Sequence, residues 1–172
     1  MHRSRISLRR LLIGAGMLAA LVAFVVFGLA DSSGHEGRPA PALPVEHLSG
    51  PTVTLAGLKG RPALVAFWAS WCEPCEREAP LLERFSRGLR GRATLVGVNW
   101  EDLSLANARS FIRRYGWTFP NLRDQDGTVG RSYGLTGPPT TFVIDSSGRL
   151  RATLRGPQTE QTLTRALASV SG

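Results

Sequence analysis

Two residues in this chain have the reactivity and the spacing for redox chemistry. Cys72 and Cys75 are its only cysteines, three apart in Trp71-Cys72-Glu73-Pro74-Cys75. An apolar run from Ala63 to Ala69 precedes them and reads as a buried strand. After them, Ala79, Leu81, Leu82 and Phe85 recur at helical spacing within Glu76 to Gly88. The pair therefore falls at a strand-to-helix junction, with Cys72 near the helix N-terminus. Unpaired backbone N–H groups and the helix dipole stabilise a thiolate there. Two cysteines on a first turn can close into a disulfide with little backbone movement, as two-electron thiol–disulfide exchange requires.

Other uses of a cysteine pair fit less well. A structural bridge is the plainest alternative, but such bridges usually close longer loops. Zinc needs four ligands, and His2, His35 and His47 are few and distant. Haem attachment needs a histidine directly after the second cysteine, where this chain has Glu76. Redox-like copper chaperones use a longer cysteine spacing and a distal histidine, and both are absent. Redox exchange leads.

The surrounding elements follow from periodicity and turn signals. Val45 to Leu48 and Thr52 to Thr54 flank Ser49-Gly50-Pro51, which predicts a small N-terminal hairpin. Leu55 to Leu58 forms one helical turn, and Gly88 to Gly91 breaks the cysteine helix. Thr94 to Val98 reads as a second buried strand, and Asn99 to Asp102 as its end and a turn. Ser104 to Tyr115 carries Leu105, Ala108, Phe111 and Ile112 on one face, so a helix is expected, closed by Gly116. Asp124 to Gly127 reads as a turn before a short helix at Val129 to Tyr133. Thr140 to Ile144 is a third strand, Ser146-Ser147-Gly148 a turn, Arg149 to Leu154 a fourth strand, and Thr159 to Val170 a last helix. The alternation argues an α/β fold, a central mixed sheet with helices on both faces.

At 172 residues, one globular domain is expected, here over 45–172. The formal charge is +8, but Arg3, Arg5, Arg9 and Arg10 supply four of it, so the remainder carries +8 − 4 = +4. No basic stripe with interleaved aromatics points to nucleic acid. Residues 1–10 form a basic N-terminus, and 11–30, from Leu11 to Ala30, are twenty residues without a charge. About 20 apolar residues span a bilayer as one helix. Arginines before the run and none just after it predict a cytoplasmic N-terminus and an exported C-terminal domain. A cleaved signal peptide is the alternative, since Gly28-Leu29-Ala30 has small residues where a signal peptidase reads. The run exceeds the usual signal core of about 7–15 residues, which favours a retained single-pass anchor in the cell membrane. Residues 31–44, rich in Gly, Pro, Ala and Ser, read as a linker.

Four stretches carry a family resemblance: Arg61 to Cys75, with its Phe67-Trp68-Ala69-Ser70-Trp71-Cys72-Glu73-Pro74-Cys75; Glu78-Ala79-Pro80; Val96-Gly97-Val98-Asn99; and Gly137-Pro138-Pro139-Thr140-Thr141-Phe142-Val143-Ile144-Asp145. In this order they resemble the thioredoxin superfamily, and within it the TlpA/ResA/CcmG (DsbE) group of membrane-tethered, exported thiol–disulfide oxidoreductases. The resemblance runs from about Pro39 to Val170. It implies a thioredoxin-like fold with an N-terminal β-hairpin and a helical insert after the second core strand, which Ser104 to Tyr115 fits. No organic cofactor or metal is implied. Many members reduce the haem-binding cysteines of apocytochromes c in cytochrome c maturation, and draw electrons from a membrane thiol carrier of the CcdA or DsbD type. By resemblance these are the expected substrate and partner.

The resemblance also assigns roles. Cys72 is the nucleophile and Cys75 the resolving thiol. Pro139 is the cis-proline beside the sulfurs, and Trp71, Pro138, Pro139 and Thr140 line the substrate groove. Cytoplasmic thioredoxins carry a buried acid on the core strand, where this chain has Ala66. Proton handling then falls to Glu78, one helical turn beyond Cys75 and matching the group's glutamate. Without the resemblance, Glu78 is a solvated glutamate in a helix's first turns. The expected activity is reduction of protein disulfides. Its rivals are a disulfide-forming oxidase and a non-catalytic binding module stapled by an inert bridge.

Overall fold

A computed structural model describes residues 37–171. In chain order its elements are β1 (Glu46–Ser49), α1 (Leu55–Leu58), β2 (Ala63–Trp68), α2 (Glu73–Gly88), β3 (Thr94–Trp100), α3 (Leu105–Tyr115), β4 (Asn121–Asp124), α4 (Thr128–Tyr133), β5 (Thr140–Ile144), β6 (Leu150–Arg155) and α5 (Glu160–Ala168). The basic N-terminus and the apolar run Leu11 to Ala30 lie outside the described residues. Among the described residues no helix is long and apolar enough to cross a membrane.

The strands form one mixed sheet in the order β1-β4-β3-β2-β5-β6. β2 lies inside it, parallel to β3 and antiparallel to β5. All six of its residues are buried, as a strand covered on both faces requires. Its side chains alternate. Leu64, Ala66 and Trp68 pack into the core beneath α2, α3 and α5, with Ala79, Leu82, Phe111 and Leu163. Val65 and Phe67 face a second core with Val96, Val98, Tyr133 and Phe142. That period of two is what a pleated strand imposes. Within the first core, Trp68 stacks on Phe111 at 4.8 Å and meets Trp117 edge-on at 4.9 Å. The Trp117 indole donates to the Ala79 carbonyl at 3.0 Å, tying α2 to the segment after α3.

The thioredoxin-like α/β fold and the helix after the second core strand are as expected. The N-terminal β-hairpin is not. Thr52 to Thr54 forms no strand, and β1 pairs instead with β4, antiparallel, through Glu46 opposite Arg123. Gly50 takes φ 77°, with its backbone pressed on the Phe119 carbonyl where a Cβ would collide. The chain so turned leads into α1, which Thr54 caps by accepting the Gly57 N–H at 3.1 Å.

The linker boundary also moves. Pro39 bridges Arg149 in antiparallel fashion, the Ala40 N–H donates to the Gly148 carbonyl at 2.9 Å, and Ala40 and Leu43 are buried. Residues 37–44 therefore belong to the packed domain. Their Pro and Ala content reads as a linker because those residues supply bridge and core contacts without a periodic pattern.

Candidate active site

Cys72 and Cys75 are joined as a disulfide with Cα atoms 5.2 Å apart. They sit where β2 ends and α2 begins. Cys72 is the N-cap of α2, in extended conformation (φ −92°, ψ 99°), and its Sγ accepts the Cys75 backbone N–H at 3.2 Å. Pro74 lies in the helix's first turn, where a missing N–H costs nothing. The same N-terminal field that caps the helix favours negative charge on the Cys72 sulfur.

The helix start suggests open sulfurs, but both cysteines are buried, at 4% and 2% exposure, within the apolar core that holds Trp68, Ala69 and Ala79. Trp71 is the exposed element, with 58% of its surface open. Its indole N–H donates to the Glu101 carbonyl at 3.3 Å, and its ring lies 6.4 Å from that of Trp100, so the residue before Cys72 has a fixed support.

Glu78 departs furthest from an ordinary helix glutamate. It is 4% exposed. Burial pushes its pKa up to about 7, against the opposing pull of the Gln158 backbone N–H, which donates to Oε1 at 2.9 Å. A carboxyl so placed can lose or gain a proton near neutral pH. The other acids of the helix start behave differently. Glu73 pairs with Arg77, and Glu76 with Arg114 at 3.5 Å, all of them partly or fully open to solvent. Their influence on the sulfurs is screened, and Glu78 is left as the acid that faces the core.

β5 approaches from the other side. Thr140 lies opposite Phe67 in the antiparallel register, so Pro138 and Pro139 continue past the end of β2 on the side where the cysteine loop emerges. The Pro138–Pro139 peptide is cis. Pro139 is buried, and its carbonyl accepts the Gly156 N–H at 2.9 Å. Pro138 is half-buried. Thr140 is buried, and its hydroxyl donates to the Gly137 carbonyl at 2.7 Å. It shapes the turn before β5 rather than offering a donor to a bound chain.

Two further residues support the site. Asp102 is 2% exposed and accepts from the Ser70 N–H at 2.7 Å, the Asn99 amide at 3.1 Å and the Ser104 N–H at 3.3 Å. Burial acts to raise its pKa, and the hydrogen bonds outweigh it and hold the carboxyl below its usual range. It thereby fixes Ser70, two residues before Cys72. Gln158 holds Glu78. Neither role has a local signature: Asp102 reads as turn chemistry before α3, and its main partner is 32 residues away.

Known proteins match this arrangement. The model of the AhpC/TSA family matches residues 37–153. The chain is 30% identical over 162 residues, 90% of each chain, to thiol-disulfide oxidoreductase ResA of Bacillus subtilis. It is 35% identical over 161 residues to thiol:disulfide interchange protein DsbE of Allochromatium vinosum, covering 88% of this chain and 86% of the other. A crystal structure of a thiol:disulfide interchange protein DsbE from Chlorobium tepidum superposes with a TM-score of 0.70 at 28% identity, over 80% of this chain and 98% of that one.

Proposed function

The chain belongs to the AhpC/TSA family, with a thioredoxin-like domain, and is a thiol–disulfide oxidoreductase of the ResA and DsbE type; we propose that it works as a reductase of protein disulfides outside the cytoplasm, held to the membrane by Leu11 to Ala30. Its substrate in this reading is the cysteine pair of an apocytochrome c, and its electrons come from a membrane thiol carrier of the CcdA or DsbD type.

The observation that carries the direction is Glu78, buried three residues beyond Cys75 on the same helix, with a pKa near 7. Negative charge in low dielectric disfavours a thiolate, and strong oxidants are those whose reduced thiolate is stabilised. In the reduced protein, the Cys72 thiolate attacks a substrate disulfide, forming a mixed disulfide and expelling one substrate thiolate, which takes a proton from solvent. Cys75 then gives its proton to the Glu78 carboxylate. Its sulfur attacks Cys72 Sγ, the protein disulfide forms, and the second substrate thiolate leaves. Two electrons pass to substrate, and the carrier restores the dithiol. Trp71 and Pro138 flank the path of the incoming chain.

The helix N-terminus at Cys72 pulls the other way, toward a stabilised thiolate and an oxidase. The potential in glutathione buffers separates the two. A reductase lies nearer thioredoxin, about −270 mV, than the oxidant DsbA, about −120 mV. A value at the oxidant end sinks the reductase reading. Failure of the pair to exchange with dithiothreitol under native conditions would mark an inert staple.

A further inference from the structure

The end of the domain opposite the disulfide is built differently. β2 and β3 begin there, with Ala63 beside Thr94, and β5 finishes there, with Ile144 opposite Ala63. α2 runs back to it from the cysteines, and its 16 residues span about 24 Å. Exposed Lys59, Arg61, Arg84, Arg87, Arg90 and Arg92 cluster there. The nearby acids Glu83 and Asp145 are buried and engaged, with Arg87 and Arg151 at 2.6 Å each.

A groove of about 650 Å³ opens within this surface, between the end of α2 and α5. Arg61, Arg84 and Arg92 line it beside apolar Phe85, Leu89 and Leu167, with Glu160 at the start of α5. Cations at a helix C-terminus commonly cap carbonyls, and two of these do. Arg61 donates to the Gly91 carbonyl at 3.3 Å, and Arg92 to those of Leu89 at 3.4 Å and Gly88 at 3.3 Å. Each guanidinium has five donors, so capping leaves most of them free. Guanidinium groups over an apolar floor suit a phosphate that carries a hydrocarbon chain.

The described chain also starts at this end. The Gly37 N–H donates to Leu150 at 2.6 Å, Ala40 to Gly148 at 2.9 Å, and Gly60 to Ser146 at 2.9 Å. We propose that this end is a seat for anionic phospholipid, with a headgroup phosphate held by Arg61, Arg84 and Arg92 and the apolar portion laid against Phe85 and Leu167. The proposal rests on the membrane-held reading of the chain. Basic residues near an anionic bilayer are each attracted to it within a Debye length. Seating this end would hold the disulfide about one α2 length above the lipid, on the order of 24 Å.

The test uses the full chain with vesicles of phosphatidylcholine alone and of phosphatidylcholine mixed with phosphatidylglycerol. Flotation reads the anchor, and amide hydrogen exchange over 84–93 and 160–171 reads the seat. With both readings right, the chain floats with either vesicle, and exchange in these segments slows several-fold only with phosphatidylglycerol. The slowing is reversed by salt and lost in R61Q/R84Q/R92Q but kept in R109Q/R113Q. Flotation with phosphatidylglycerol vesicles alone, released by salt, keeps the seat and sinks the anchor. Flotation with both and equal exchange sinks the seat and keeps the anchor, and no flotation with either sinks both. Equal protection from soluble glycerol phosphate would make the groove a phosphate site and overturn the lipid assignment. Full protection already present in phosphatidylcholine would mean that the chain fills its own groove, and would overturn it too.

Discussion

The backbone N–H of Gln158 donates to the Glu78 carboxylate across 2.9 Å, joining the loop after β6 to the helix that carries both cysteines. This contact holds in place an acid that burial would otherwise drive further toward its neutral form.

Glu78 should make stability depend on pH, and activity too in the proposed mechanism. A carboxyl with a raised folded pKa binds its proton more tightly when folded, so its contribution is fully present below about 4.5 and is lost as pH rises through about 7. The shift corresponds to on the order of 3 kcal/mol. Glu78→Gln keeps an oxygen for Gln158 and removes the titration. The oxidised variant should gain stability over wild type between pH 5 and pH 8, measured by urea unfolding, and parallel pH curves would refute this. Its exchange with a model disulfide should slow by on the order of 10²-fold, the low end for a positioned acid–base group.

The two sulfurs should separate by role. Cys75→Ser removes the resolving thiol, so mixed disulfides through Cys72 should accumulate on non-reducing gels. Cys72→Ser should give none, because Cys75 lies deeper in the first turn and lacks the N-cap position. The opposite pattern would reverse the assignment.

Asp102 should matter to the fold before it matters to chemistry. Asp102→Ala leaves the Ser70 N–H, the Asn99 amide and the Ser104 N–H without their acceptor, and should cost about 2–4 kcal/mol. Its carboxyl has a lowered pKa, so its contribution holds above 3.8 and fades as pH falls below that value. Denaturant unfolding at pH 7 and pH 3 should show the gap to wild type narrowing in acid. An unchanged gap would mean that packing, not charge, sets the loss.

In the proposed substrate groove, Pro138 lacks a backbone donor. It offers a carbonyl to an extended substrate backbone but no N–H. Pro138→Ala restores the donor, and one net hydrogen bond is worth about 0.5–1.5 kcal/mol. Peptide binding to a trap lacking the Cys75 thiol should tighten roughly two- to tenfold. Unchanged or weaker affinity by calorimetry, with an intact fold, would show that this donor does not limit recognition.

The sequence makes legible whatever is local. The run Ala63 to Trp68 announces β2 by apolar content, the cysteine spacing announces the disulfide, and Pro139 announces its strand through the motif around it. β4 is hidden because Asn121-Leu122-Arg123-Asp124 is mostly polar and reads as turn. It becomes a strand through its ladders with β3 and β1, and Asn121 and Asp124 are buried there. The hairpin expectation fails at Gly50, whose turn signal is real but directs the chain toward Phe119 instead of back along β1. Asp102 and Gln158 escape notice because each acts on a residue distant in sequence, at Ser70 and at Glu78.

The sulfur of Cys72 accepts the Cys75 N–H as the cap of α2. A thiolate at the same place is a stronger acceptor than a disulfide sulfur. Cleaving the bond therefore need not unwind the helix start, and the oxidised and reduced proteins can share one backbone. Interconversion of the two forms then asks for no refolding at the start of α2.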